Sequence, residues 1–252
     1  MVGCGATATL YHSPMVAQRG PTPAAFARIP EKPKLPVMTS ADTTVPLRWL
    51  ELLSSRLCHD LISPVSAIGN GVELIEEMGA DMLDDALSLI GDSARRASGR
   101  LAVFRVALGA AGGQAGLDPN DVIQAVTGAF KGGKVTLAIQ PEVASWLGTR
   151  KGGAGKVLAG LVLVAEETVP FGGQVAVDIN DQDRLVIRAQ GRRAGFEHGN
   201  DLALAGDLPE SELGPRTVLS AVVARLASAY GFEIEAQSEA DVITLTVTAN
   251  GS

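Results

Sequence analysis

Apolar residues recur every three or four positions along two consecutive segments of the chain. The first segment runs from Pro46 to about Glu77, and the second runs from Leu83 to Leu108. This spacing is that of one face of an α-helix, so each segment is predicted to form an amphipathic helix. Gly79 and Asp81 interrupt the pattern, which predicts a helical hairpin. The apolar positions of the first helix are Leu50, Leu53, Leu57, Leu61, Val65, Ile68, Val72 and Ile75.

Such a hairpin has an apolar face on both helices, and two helices alone cannot bury both faces. Two hairpins that pair into a four-helix bundle would bury them. We therefore expect a homodimer held together by a four-helix bundle. The small residues from Gly109 to Gly116 end the second helix and predict a linker at a domain boundary.

Beyond this linker, helix and strand signals alternate. A helix from Pro119 to Phe130, with Asp118 as its N-cap, precedes a β-branched stretch from Val135 to Ile139. Further helices are predicted from about Gly155 to Val169 and from Thr217 to Tyr230. The remaining predicted strands are Gln174 to Ile179, Arg184 to Ala189, Phe232 to Ala236 and Val242 to Thr248. The pattern predicts an α+β fold, in which helices and a mixed sheet form a two-layer sandwich.

The chain is thus predicted to have three parts. Residues 1–40 contain six prolines and no helical or strand period, which indicates a disordered leader. Residues 45–110 form the helical hairpin, and residues 117–249 form the sandwich domain.

Composition and charge narrow the possible functions. A formal net charge of -7 argues against a surface that neutralises the phosphates of DNA or RNA. Cys4 and Cys58 are too few and too differently placed for a disulfide framework or a metal cluster, which indicates a reducing compartment. No apolar stretch has the length of a signal peptide or a membrane span. We therefore expect a cytoplasmic protein that binds no nucleic acid, membrane, metal or cofactor.

His59 is the candidate for chemistry. It lies two positions from both Leu57 and Leu61, so at about 100° per residue it points roughly 160° away from the apolar stripe, into solvent. An imidazole suits phosphoryl transfer because one nitrogen is nucleophilic at neutral pH and the N–P bond readily gives the group up to a carboxylate. A lone histidine on a helix is more often a solvated surface residue, so the surrounding sequence must decide.

The neighbours of His59 fit a phosphoryl carrier. Asp60 is placed to accept a hydrogen bond from the other ring nitrogen or to orient the ring. Ser63, one turn later, is placed to bond a phosphoryl oxygen or a water, and Arg56, one turn earlier, to offset an added charge of about -2. Pro64 removes a helix hydrogen bond, so we expect a bend that exposes the ring further.

The segment from His59 to Ile68 resembles the phospho-acceptor box of two-component histidine kinases. That resemblance implies a dimerising four-helix bundle followed by an ATP-binding α/β sandwich. The second half departs from the kinase pattern, because the helix from Leu161 to Glu167 lacks the asparagine that would hold magnesium. Ala189 to Arg193 replaces the aspartate-x-glycine-x-glycine turn that reads adenine, and the glycine-rich lid has shrunk to Gly214-Pro215. These three departures argue against ATP binding.

A kinase-like hairpin joined to a degenerate kinase-like sandwich resembles the ChpT histidine phosphotransferases. The matching stretches are Arg56 to Asp60, Ile62 to Pro64, Ser93 to Arg95 and Phe104 to Ala110. The resemblance implies that His59 receives a phosphoryl group from the receiver aspartate of a CckA-type hybrid kinase. It further implies transfer to CtrA-type and CpdR-type response regulators, in a relay that controls the cell cycle or development.

On this interpretation, the receiver docks on the C-terminal half of the first helix, where Ile62, Ser66 and Asn70 continue the histidine face. The alternative is that Ser66 and Asn70 are merely solvated and that Ile62 partly covers the bundle. Two other functions compete with the phosphotransferase: an active sensor kinase, and an adaptor that docks receivers but carries no phosphate.

Three further motifs have simpler interpretations. The segment from Gly152 to Lys156 lacks the spacing of a phosphate-binding loop and predicts a loop followed by a helix start. Glu197 and His198 have no ligand partners at metal spacing, so we expect surface residues. The pair Arg192-Arg193 predicts a solvated turn.

Overall fold

A hairpin of two long helices begins the part of the chain that the computed structural model describes, which comprises residues 45–78, 82–110, 117–150 and 152–250. The predicted leader, residues 1–40, lies outside it. Helix α1 spans Leu47–Met78 and helix α2 spans Leu83–Ala107, within a few residues of the predicted ends. The 32 residues of α1 extend over about 48 Å at 1.5 Å per residue. Within the described ranges, no helix is apolar enough over a sufficient length to cross a bilayer.

The two helices of the hairpin pack closely but leave much of their apolar surface uncovered. A Cβ atom on Gly71 would lie 2.6 Å from Cγ1 of Ile90, so only glycine allows α1 and α2 to approach this closely. α1 continues through Pro64, and the predicted bend there stays a prediction. The apolar side chains of the hairpin that remain exposed in the single chain include Leu50, Val65, Val72, Leu83, Leu87, Leu89 and Leu101.

Five α-helices and five strands follow the hairpin in the part of the chain that the structure describes. The helices are α3 (Pro119–Phe130), α4 (Glu142–Thr149), α5 (Ala154–Glu167), α6 (Asn200–Ala205) and α7 (Val218–Ala229). The strands are β1 (Val135–Ile139), β2 (Gly173–Ile179), β3 (Leu185–Gln190), β4 (Phe232–Glu239) and β5 (Val242–Ala249). All the helices and strands predicted from the sequence are present, which confirms the α+β fold class.

The strands form one mixed sheet in the order β1-β2-β3-β5-β4. β1 pairs with β2 in parallel, and the other pairs are antiparallel. Alternate residues of β5, namely Ile243, Leu245 and Val247, are fully buried, as expected for a strand with one face on the core. The core on that face is dominated by α5, which is buried from Val157 to Ala165. The predicted two-layer arrangement is therefore present.

Local side-chain hydrogen bonds fix two of the predicted boundaries. Asp118 caps α3 by accepting a hydrogen bond from the backbone N–H of Asn120 at 2.8 Å. In the β2–β3 turn, the side-chain oxygen of Asn180 accepts from the backbone N–H groups of Gln182 and Arg184, each at 3.0 Å. The short link between these strands therefore forms the hairpin that its sequence predicts.

Two short helices were not predicted. α4 buries Val143, Trp146 and Leu147 at helical spacing, but it is only 8 residues long, too short for its period to stand out. α6 lies between Gly199 and Gly206, which have left-handed φ angles of 83° and 81°. A 3₁₀ turn at Glu210–Glu212 follows it. α6 and this turn lie between β3 and α7, the segment in which the sequence suggested only a shortened lid.

The C-terminal end of α2 belongs to the same hydrophobic core as the sandwich. Val103 and Phe104 are buried in that core. Where the backbone of α2 ends, Lys156 of α5 donates hydrogen bonds from Nζ to the carbonyl oxygens of Gly109 at 2.6 Å and Ala107 at 3.4 Å. Burial lowers the pKa of Lys156, and an ammonium at this position complements the negative end of α2. The segment from Gly152 is thus a turn and a helix start, as predicted, and its lysine caps a neighbouring helix.

The beginning of α1 also docks on the sandwich. Trp49 is buried, and its indole N–H donates to Oε1 of Glu210 at 3.3 Å. The guanidinium of Arg225 lies 3.9 Å from the centre of the indole ring, and Arg48 donates to the carbonyl oxygen of Leu213 at 3.0 Å. The apolar side chains buried around Trp49 are Ala203, Leu213, Val218 and Ala221. α1 is therefore held at its first turn.

Replacing Lys156 with Met should destabilise the junction between α2 and α5. The substitution keeps most of the side-chain volume but leaves two carbonyl groups without their buried donor, at a cost of about 1–3 kcal/mol. Urea denaturation followed by circular dichroism measures this loss. Lys131→Met, at an exposed position, is the matched control and should change the free energy of unfolding by less than about 0.5 kcal/mol. Equal effects of the two substitutions would contradict the capping role.

Candidate functional site

A cleft of about 690 Å³ lies between the middle of α1 and one end of the sandwich. The side of the cleft formed by α1 presents the candidate histidine and its neighbours. The opposite side is formed by the end of α5 and by the segment between β3 and α7. The polar residues that line the cleft are Ser55, Arg56, His59, Asp60, Glu167, Thr168, Glu197, His198, Asn200 and Arg216.

His59 projects into solvent from α1, with its side chain 86% exposed, as its helical position predicts. Its Nδ1 lies 3.4 Å from Oδ1 of Asp60. With the ring proton on Nδ1, this N–H donates to the carboxylate, and Nε2 carries the lone pair. Among the described residues, no protein atom forms a hydrogen bond with Nε2. This arrangement would allow Nε2 to act as a nucleophile while Asp60 holds the other ring nitrogen.

Arg56 links this pair to the sandwich. Its Nε donates to Oδ2 of Asp60 at 3.0 Å, and its Nη2 donates to Oε1 of Glu167, at the end of α5, at 2.5 Å. The three side chains are only 16–26% exposed, so solvent screens their interactions weakly. A second ion pair joins the hairpin to the same end of α5, because Nη1 of Arg100 on α2 lies 2.6 Å from Oε2 of Glu166.

Glu167 is the group of this cluster whose protonation changes near neutral pH. Burial raises the pKa of Glu167 to about 7, because the attraction of Arg56 does not offset the loss of hydration. The negative charges of Asp60 and Glu166 add to the increase. Although burial disfavours its charged form, the two carboxylates raise the pKa of Arg56, which stays a cation. The cluster therefore holds a fixed positive charge between two acids, one of which gains or loses a proton easily.

The other predicted site residues lie along the exposed face of α1. Ser63 is exposed one turn after His59 and has no hydrogen-bond partner among the described residues. Ile62 is 64% exposed, which is unusual for an isoleucine, and Ser66 and Asn70 are exposed further along the helix. The structure thus brings His59, Asp60 and Arg56 into contact and leaves the remaining four predicted residues open to solvent.

Glu167, His198 and Arg216 are among the cleft residues that were not predicted to belong to the site. Glu167 is the last residue of α5, the helix that lacks the asparagine of kinases. Nothing in the sequence indicates that it forms an ion pair with Arg56. His198 is a surface residue, as expected, with a side chain 46% exposed, yet it lines the same cleft as His59. Arg216 lies beside it, with Nη1 at 2.7 Å from Nε2 of His198. These contacts depend on tertiary packing, and no sequence spacing encodes them.

The turn after β3 is closed onto the neighbouring strand hairpin. The backbone N–H of Gly191 donates to the carbonyl oxygen of Asp241 at 3.2 Å, and that of Arg193 donates to its side chain at 2.6 Å. Arg192 and Arg193 are exposed in this turn, as predicted, with their guanidinium groups 5.3 Å and 5.6 Å from the ring centre of Phe171.

Comparisons with known proteins identify the family of the chain. Residues 119–242 match the family model of the histidine phosphotransferase C-terminal domain. The protein phosphotransferase ChpT of Brucella abortus (strain 2308) is 37% identical over 203 residues, which cover 77% of this chain and 92% of that protein. A solved structure of a bacterial phosphotransferase superposes with a TM-score of 0.67 at 33% identity, covering 82% of this chain and 98% of the other. The chain therefore belongs to the ChpT family of histidine phosphotransferases.

Proposed function

We propose that His59 carries the phosphoryl group in a bacterial multistep phosphorelay, in which the protein shuttles the group between receiver domains without using ATP. The observation that carries this proposal is the exposed imidazole whose Nδ1 faces Asp60 at 3.4 Å. A side chain that is 86% exposed is accessible to the active site of another protein. The family supports phosphotransfer as the activity, and His59 is the residue on this face best suited to it.

The reaction exchanges one bond to phosphorus for another. Nε2 of His59 attacks the phosphorus of a receiver's aspartyl phosphate, the N–P bond forms, and the P–O bond to the aspartate breaks, releasing its carboxylate. The ring becomes positively charged, and Asp60 stabilises it by accepting the hydrogen bond from Nδ1–H. In the reverse direction, the aspartate of the next receiver attacks the phosphorus and His59 leaves.

Arg56 and Ser63 assist this exchange. A phosphoryl group adds a charge of about -2 next to Asp60, and the fixed charge of Arg56 offsets the repulsion. The exposed hydroxyl of Ser63, one turn later on the same helix, donates to a phosphoryl oxygen. Glu167 is a positioning residue, because its 2.5 Å contact with Arg56 holds the guanidinium against Asp60.

The lack of an ATP requirement is supported by the segments that would hold a nucleotide in a kinase. The helix from Leu161 to Glu167 has no asparagine to hold magnesium. Gly191 to Arg193, directly after β3, form a turn that is hydrogen-bonded to Asp241 rather than an open glycine-rich loop. The phosphoryl group therefore comes from a partner protein.

Receiver domains of a CckA-type hybrid kinase and of CtrA-type and CpdR-type response regulators are the proposed partners, in a relay for cell-cycle control in the cytoplasm. The docking surface consists of Ile62, Ser66 and Asn70. Its support is the 64% exposure of Ile62 beside His59, which leaves an apolar anchor on an otherwise polar face.

We further propose that the protein acts as a homodimer. The exposed leucines and valines of the hairpin would be covered if two hairpins formed a four-helix bundle. The domains would then be arranged as the sequence predicts, with residues 45–110 forming the bundle and residues 117–249 the flanking sandwich. His59 would remain accessible, since it points away from the apolar stripe.

The His59→Ala variant should accept no phosphoryl group from a phosphorylated receiver domain. Incubation of the purified proteins with a radiolabelled receiver, in the absence of ATP, should place acid-labile label on the wild type alone. Cys58→Ala, at the adjacent exposed position, is the control and should accept label normally. Label on His59→Ala would contradict the proposal, and label on the wild type from ATP alone would identify a kinase.

The Ile62→Asp variant should lose transfer through weaker docking. Burying a carboxylate in place of an apolar anchor should raise the dissociation constant for the receiver domain at least about tenfold, or 1.4 kcal/mol. Isothermal titration calorimetry with the receiver domain measures this constant. Leu202→Asp introduces the same change at an exposed leucine of α6 and should leave it unaltered. Equal binding by wild type and Ile62→Asp would rule out this docking surface.

The Glu167→Gln variant should change how stability depends on pH. The pKa of Glu167 is raised on folding, so the wild type loses stability as the pH rises from about 4.5 to 7. A glutamine at this position does not titrate, so the variant does not lose stability in this way. Its free energy of unfolding relative to wild type should therefore increase by an amount on the order of 1–3 kcal/mol as the pH rises from about 4.5 to 7. Urea titrations at both ends of the range measure the difference, and a difference independent of pH would contradict the raised pKa.

A further inference from the structure

Arg216 and His198 form a basic pair on the side of the cleft opposite His59. Both residues line the cleft, and Nη1 of Arg216 lies 2.7 Å from Nε2 of His198. Because a guanidinium can only donate, Nε2 of His198 is the acceptor in this contact, and the same nitrogen lies 3.6 Å from Oε2 of Glu197. Arg216 therefore brings a positive charge to this side of the cleft.

Arg216 also lies on an ordered turn. Oγ1 of Thr217 accepts from the backbone N–H of Gly214 at 3.0 Å, which closes the turn that precedes α7. His198 has a left-handed φ angle of 59°, a conformation that non-glycine residues keep only where surrounding contacts hold it. The backbone that carries each side chain therefore has a defined conformation, and the contact between Arg216 and His198 orients the two side chains.

The charge of Arg216 differs from that of the other arginine in the cleft. Arg56 is matched by two carboxylates, whereas no carboxylate of the described residues lies within the 4.0 Å of an ion pair with Arg216. Its one hydrogen bond with a side chain among the described residues goes to the imidazole of His198, and a guanidinium has five N–H donors. The titratable and charged groups that share the cleft with it are Arg56, His59, Asp60, Glu167, Glu197 and His198.

We infer that Arg216, held by His198, binds the phosphoryl group carried on His59 from across the cleft. This inference rests on the proposed phosphorylation of His59. The added group brings a charge of about -2 into a cleft that already holds three acids, and Arg56 is shared between two of them. Arg216 supplies the missing positive charge, and its planar donor set matches the oxygens of a phosphoryl group.

The test measures, by ³¹P NMR, the pKa of the second ionisation of the phosphoryl group on His59. The full-length protein is phosphorylated with phosphoramidate, which transfers its phosphoryl group to an imidazole nitrogen and releases ammonia, and in parallel with a phosphorylated receiver domain. A cation in contact with the group favours its dianion, so Arg216→Ala should raise the phosphoryl pKa by at least about 0.5 units. Arg216→Lys keeps the charge and should give a smaller increase.

Arg188→Ala is the matched control, because Arg188 is exposed on β3 and does not line the cleft. It removes the same charge from the same part of the chain and should leave the phosphoryl pKa unchanged. Equal phosphoryl pKa values in the wild type, Arg216→Ala and Arg188→Ala would overturn the inference while leaving the relay intact. A wild type that shows no phosphohistidine signal with either donor would overturn the proposed function as well.

Discussion

The ion pair between Arg56 and Glu167 is the interaction on which the arrangement of the site depends. It joins the helix that carries His59 to the end of the helix that forms the sandwich core, at 2.5 Å. Two partly buried carboxylates, Asp60 and Glu167, face the same space, and they tolerate each other only because a guanidinium lies between them. Removing Arg56 would leave both charges uncompensated. The same residue therefore sets the orientation of α1 and the electrostatics around the imidazole.

Apolar packing provides the stability that this ion pair does not. Trp49 is buried against α7 and its surroundings at one end of α1, and the end of α2 is buried in the sandwich core. Hydrophobic contacts are not directional, so they would hold the hairpin without fixing its rotation. The polar contacts of Arg56 and Arg100 with the end of α5 are directional and select one rotation of the hairpin. His59 faces the cleft because both kinds of contact act together.

The sequence predicts this fold well wherever a long period is present. The helical period of α1 and α2 predicts where both helices begin and end and that His59 is exposed. Asp118 forms the predicted N-cap of α3, and Asn180 lies in the predicted turn between β2 and β3. α4 and α6 were missed because 8 and 6 residues are too few for a period to emerge. The contacts of Glu167, His198 and Arg216 were missed for a different reason. They join segments far apart in the chain, and only tertiary packing brings them together.

A phosphoryl group in this cleft would meet charges of both signs and would therefore be held only weakly. Asp60, Glu167 and Glu197 supply up to three negative charges, while Arg56 and Arg216 supply two positive ones. A relay intermediate that was bound too tightly would not be passed on, because stabilising the carried state raises the barrier to leaving it. Burial raises the pKa of Glu167 to about 7, so this carboxyl contributes less than a full negative charge near neutral pH. A site with fixed, fully matched positive charge would bind phosphate more strongly and transfer it more slowly.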